Sequence, residues 1–200
     1  MNNRQLALTA VMSALTVVIA YTRGLALPSL PGVFELMTVL IFISGFCFGS
    51  TVGIMVGAVS LTIYNLIPYP LAHPAAWLFT ISPILLVIMA LLGVMFGVAG
   101  DIASRFLDPK KPGFAFNLGV VGFVLTFIYD VGSSLGFALA YPAFTDPVQA
   151  VYLTFIPLYY PWPPIVHTFT NAIIFAVIAP VLIRAIIRLP ETLNIRGTQR

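Results

Sequence analysis

The chain has 200 residues, of which 60% are hydrophobic and 8% charged, with a mean hydropathy of +1.05. Soluble chains carry roughly 25% charged residues, so a soluble globular domain is excluded, and at about 20 residues per membrane-crossing helix the apolar stretches leave no room for a separate catalytic domain. The net charge of +3 is informative only through its placement, and the single cysteine, Cys47, lies in an apolar run, which excludes an intrachain disulfide and argues against a metal cluster.

Apolar stretches at residues 5–22, 33–49, 50–67, 77–100, 114–141 and 165–187 predict an all-α, polytopic membrane protein of six transmembrane helices forming one domain over residues 1–200. Barrel strands are a poor alternative, because these runs are too long and do not alternate apolar with polar residues. The second and third spans abut at Gly49-Ser50, which requires a tight turn. The first span is read as a retained helix, because no small-residue cleavage site follows its apolar core. With six spans the two termini share a side. Arg4, Arg105, Lys110, Lys111, Arg184, Arg188, Arg196 and Arg200 fall on that side and only Arg23 on the other. The positive-inside rule then predicts a cell-membrane protein with both termini in the cytoplasm.

Small residues recur at i, i+4 spacing: Ala10/Ala14, Gly53/Gly57, Gly93/Gly97, Gly132/Gly136 and Ala172/Ala176. Such pairs let helix backbones approach closely in lipid. Most suit packing within the chain. The first span, with Ala7, Ala10, Ser13 and Ala14, is the best candidate for a surface that docks another membrane protein.

The polar residues gather on the outer half of the predicted spans. Glu35 opens span two, and Tyr64 and Asn65 end span three. His73 lies in the next outer loop, and Trp77 opens span four. Tyr129 and Asp130 lie in span five with Ser133 and Ser134 a turn beyond. His167, Thr168, Thr170 and Asn171 begin span six. The inner half offers only Asp101 and Asn117, at span ends. Ionisable residues inside spans are expensive and usually functional, and Asp130 is the deepest carboxylate. His167 and Asn171 share a helix face, which is able to meet Asp130 across a helix interface. Interfacial polar groups and satisfied helix ends are the alternative for Glu35, Asn65 and His73. Three proline-rich outer loops, 23–32, 68–76 and 142–164, are stiff enough to line or cover a pocket, and the last carries Tyr152, Phe155, Tyr159, Tyr160 and Trp162. An aromatic belt at the membrane surface would use the same residues. A one-sided polar pocket over an apolar floor suits capture of a solute from outside, whereas a channel needs polar residues in both halves.

Several chemistries are missing. No G-x-x-x-x-G-K-[ST] loop, HExxH pair or G-x-S-x-G elbow occurs, and no metal, cofactor or nucleic-acid partner is expected. No inverted repeat is detectable, so energy for moving a solute has to come from a partner.

With these residues in hand, the chain resembles the S components, the substrate-binding membrane subunits of energy-coupling factor (ECF) transporters. The resemblance covers its whole length. It is carried by ALTAVMSAL at 7–15, PGVFELMTVLIFISGFCFGSTVGIMVGAVS at 31–60, LTFIYDVGSSLGF at 125–137 and HTFTNAIIFAVIAP at 167–180. The resemblance implies a non-enzymatic subunit that binds a vitamin or cofactor precursor in an outward pocket. It then docks through an alanine-spaced motif in the first helix, matched here by Ala10 and Ala14, onto a transmembrane coupling subunit driven by two ATPase subunits. Toppling in the bilayer then releases the cargo. Together the two readings give Glu35, Asn65, His73, Trp77, Tyr129, Asp130, Trp162, His167 and Asn171 as candidate substrate-binding residues. No ligand pattern of the thiamine, biotin, folate or riboflavin members is present. The competing readings are an intramembrane lipid or isoprenoid enzyme using Asp130 and His167 as acid and base, a stand-alone permease, and a structural subunit without a ligand. The first lacks the carboxylate or basic clusters it needs, the second lacks inner-half polar residues, and the third leaves Asp130 without a purpose.

Overall fold

Helix α1 (Asn3–Ala26) starts at a reciprocal cap: the Gln5 N–H donates to Asn2 Oδ1 at 2.8 Å and the Asn2 N–H to Gln5 Oε1 at 3.1 Å. In the computed structural model, which describes residues 1–26, 35–66, 82–141, 146–149 and 164–188, it is followed by α2 (Leu36–Phe48), α3 (Ser50–Leu66), α4 (Pro83–Phe106), α5 (Phe114–Ala140) and α6 (Pro164–Ile187). No strand occurs among the described residues. Four of these helices, α1, α4, α5 and α6, are long and apolar enough to cross a bilayer, while α2 and α3 are shorter apolar helices.

α2 is the centre of the molecule. Every residue from Met37 through Phe48 is buried, and the helix packs against α1, α3, α4 and α6. A helix hydrophobic on all sides suits either lipid or a protein core, and here four neighbouring helices enclose it. Its aromatic rings tie the neighbours together. Phe42 meets Phe175 of α6 edge-on at 5.3 Å, and Phe46 meets Phe114 of α5 at 5.9 Å. Phe96 of α4 closes the cluster against Phe175. The expected tight turn between α2 and α3 is a single residue, Gly49, at φ +91°, a backbone state that costs a side-chain-bearing residue but not glycine.

The small-residue pairs sort into two uses. Gly53 and Gly57 of α3 face Gly97 and Gly93 of α4, backbone against backbone. A Cβ added at Gly53 would lie 2.7 Å from the Gly97 carbonyl oxygen, and one at Gly57 would strike the Gly93 carbonyl. These pairs are internal packing. Gly57→Leu is therefore expected to push α3 off α4 and lower the thermal midpoint in detergent, an overpacking cost of about 1–3 kcal/mol or more; an unchanged midpoint would contradict the crossing. α1 behaves differently. Thr9, Met12, Ser13 and Thr16 face inward, whereas Ala7, Ala10, Val11 and Ala14 stay exposed. Ser13, grouped with the alanines in the sequence, thus belongs to the other face.

The fourth helix is the main correction to the sequence boundaries. Predicted over 77–100, it is described from Pro83 to Phe106. Ser82 caps it by accepting from the Leu85 N–H at 3.5 Å, with Pro83 at the first helical position. It runs past Gly100 because the polar end is neutralised within the helix: Asp101 is buried and pairs with Arg105 one turn on at 2.6 Å.

Candidate functional site

α5 and α6 pack antiparallel, with Phe114 beside Arg184 at one end and Asp130 beside His167 toward the other. Asp130 is 6% exposed and lies inside α5, which continues to Ala140, about 15 Å further at 1.5 Å per residue. α2 and α6 both begin at the level of Asp130. Their N-termini bring Glu35 and His167 to the same place, and the positive ends of the two helix dipoles favour carboxylates there. Glu35 occupies the N-cap position of α2 but makes no side-chain cap, which leaves its carboxylate for other partners.

The result is an alternating cluster. His167 Nδ1 is 2.8 Å from Asp130 Oδ1, and His167 Nε2 is 3.0 Å from Glu35 Oε2. The first contact is an aligned hydrogen bond. The second is close enough for ion pairing, but the ring N–H direction is off the line of a hydrogen bond. Each ring nitrogen thus faces a carboxylate. Thr168 donates its hydroxyl to Asp130 Oδ2 at 2.7 Å, so both oxygens of the deepest carboxylate are engaged. The Ser133 and Ser134 hydroxyls turn back onto the Asp130 backbone carbonyl. The Tyr129 ring lies 6.4 Å from His167, edge to face, and 6.0 Å from Phe96, forming an aromatic wall. One turn deeper, Asn171 is fully buried. One end of its amide reaches the Thr126 and Thr38 hydroxyls at 2.7 and 3.2 Å, and the other end has no hydrogen-bond partner.

Glu35, Tyr129, Asp130, His167 and Asn171 therefore come from three stretches of sequence into one place. Asn65 does not join them: its amide donates to Leu61 O of its own helix at 2.7 Å. His73, Trp77 and Trp162 lie outside the described residues. Thr38, Thr126 and Thr168 complete the network and were not singled out as site residues from the sequence. A threonine in an apolar helix carries no signal alone, but Thr126 precedes Asp130 by one turn, and Thr38 follows Glu35 by three residues on α2. No group of three or more His, Cys, Asp or Glu side chains is arranged to hold a metal ion among the described residues.

Buried charge inside an apolar helical protein is costly unless it is paired. An acid–imidazole–acid arrangement with threonine support can bind and orient a polar solute by exchanging one internal partner for the ligand. A protein-family model described as the substrate-specific component of ECF transporters matches residues 4–183. The chain belongs to that family. No curated protein and no solved structure matches it. As an S component it is a transport subunit of the membrane and not an enzyme, so the acid–base reading of Asp130 and His167 falls away. S components bind a small-molecule substrate and work with the subunits of an ECF module.

Proposed function

We propose that this S component captures a vitamin or cofactor precursor at the outer face and delivers it with a transmembrane coupling subunit and two ATPase subunits. Six spans in one domain, with both termini in the cytoplasm, fit the basic residues, which cluster on the side of the termini. The binding floor is Glu35, Tyr129, Asp130, His167 and Asn171. His73, Trp77 and Trp162, which lie outside the described residues, and Asn65 are further candidates for contact with the solute. Ala10 and Ala14, exposed on α1, form the docking surface for the coupling subunit.

The observation that carries this reading is the buried Glu35–His167–Asp130 cluster, set where α2 and α6 begin. Polar groups crowd that level, and the opposite end of the helices holds only the locally paired Asp101 among buried charges of the described residues. Capture from one side requires such an asymmetry. The test is native mass spectrometry of the detergent-purified protein. A co-purified molecule of vitamin size, lost on substitution of Asp130, supports the reading and names the substrate class. A protein that stays empty even when purified from cells supplied with vitamin mixtures contradicts it.

A further inference from the structure

Away from the charged cluster, α5 and α6 enclose a second feature on the outside of the bundle. It is an open groove of about 370 Å³, lined only by apolar side chains. Its floor is Gly119, Ala172 and Ala176, where the helices touch: a Cβ at Gly119 would lie 3.1 Å from the Ala176 methyl. At one end the Phe123 and Phe169 rings meet at 5.2 Å. At the other end Phe116 stands 72% exposed, one turn from the α4–α5 connection.

That second end is strongly basic. Arg184 continues the groove side of α6, because residues 173, 176, 180 and 184 recur on one side of a 3.6-residue helix, and Arg188 follows just past the helix end at Ile187. The Arg184 guanidinium sits 5.6 Å over the Phe114 ring, and its Nε donates to Pro109 O at 3.0 Å, which fixes it where α5 begins, on the side of the groove's Phe116 end. Lys110 and Lys111 lie exposed in the adjoining connection. None of these four pairs with a carboxylate among the described residues. Asp108, the acidic side chain of that connection, accepts instead from the Lys110 backbone N–H at 2.9 Å. Here a concave apolar slot has one end on the side of cations that no carboxylate among the described residues pairs.

We propose that this groove holds one acyl chain of an anionic phospholipid whose phosphate sits on Arg184, Arg188, Lys110 and Lys111. Arginine binds phosphate through paired N–H donors, and basic pockets between transmembrane helices select anionic headgroups. The site is independent of the solute site, which lies toward the opposite end of α5. It anchors α5 and α6, the helices that carry Asp130 and His167, to the leaflet on the basic side.

The experiment is native mass spectrometry of the full chain in detergent doped with equal dioleoyl-phosphatidylglycerol and dioleoyl-phosphatidylcholine. Each basic side chain near the headgroup is worth about fivefold, so the wild type is expected to retain phosphatidylglycerol over phosphatidylcholine by about tenfold or more. R184Q/R188Q is expected to lower the ratio by about tenfold or more. A172L/A176L, which fills the groove, is expected to reduce retention of both lipids. If R184Q/R188Q does not fold, as judged by helical circular dichroism, K110Q/K111Q is read in its place and is expected to lower the ratio several-fold. Equal retention of the two lipids by the wild type overturns the proposal. So does phosphatidylglycerol retention untouched by A172L/A176L, or a dimer of the chain occupying the groove in place of lipid.

Discussion

Asp130→Asn is expected to lower ligand occupancy of this S component by roughly ten- to a hundredfold while leaving the helices folded, because a hydrogen bond to a charged group is worth about 1.5–3 kcal/mol. Asparagine keeps the shape of the side chain. It offers one acceptor where two donors now converge, the His167 ring and the Thr168 hydroxyl, so one of them meets an N–H in its place. A ligand that takes over one of these partners then finds the wrong polarity and no charge. The readout is the fraction of protein carrying the co-purified molecule in native mass spectrometry, beside circular dichroism for the fold. Asp130→Ala is the contrasting variant. It leaves a buried imidazole facing a lone Glu35, and removing one partner of a buried pair costs about 3–5 kcal/mol, so this variant is expected to lose thermal stability as well as ligand. Asparagine that binds as wild type, with the fold intact, would remove Asp130 from the site and leave the cluster a structural tie between α5 and α6.

Much of this cluster is legible in the sequence, and the limit of legibility has a physical cause. A carboxylate within an apolar run announces itself, because lipid gives it no solvent. The four-residue step from His167 to Asn171 places both on one face of α6 without any tertiary knowledge. Glu35 is harder. At the start of an apolar helix it reads equally as an interfacial residue, and only the packing of α2 through the middle of the bundle brings it to His167 Nε2. Asn65 shows the converse: it ends an apolar helix as the sequence places it, but its amide donates to Leu61 O of its own helix. Helix boundaries are less legible where hydropathy and local capping disagree. Trp77, Leu78 and Phe79 are apolar enough to extend a window, yet Ser82 and Pro83 begin the described helix, and Asp101, which ends an apolar window, is carried inside by its pair with Arg105. Short helices pose a different problem. α2 has only 13 residues, and its burial comes from neighbours on all sides, which no periodicity in its own sequence reveals.

The same contrast between inward and outward faces makes the docking prediction sharp. On α1 the inward stripe is Thr9, Met12, Ser13 and Thr16, and Ala10 and Ala14 point away from the chain. Ala10→Trp with Ala14→Trp therefore adds bulk where no neighbour among the described residues is displaced, and folding and ligand occupancy are expected to stay at wild-type levels. Close approach of two helices in lipid depends on small side chains at the contact, and two indoles force the partner helix away. In cells that also make the coupling subunit and the ATPases, uptake of the bound molecule is expected to fall to less than about a tenth of wild type. Co-purification of the coupling subunit is expected to fall with it. Val87→Trp with Leu91→Trp on α4 is the control, because both residues are exposed to a similar degree, at 58% and 61%, with the same i, i+4 spacing. If mere bulk in the bilayer harms transport, both double mutants fail together. If the alanine face is the contact, only the α1 variant fails. Full uptake by the α1 variant would move the docking surface elsewhere, while leaving the solute site, which the α1 alanines do not touch, as it stands.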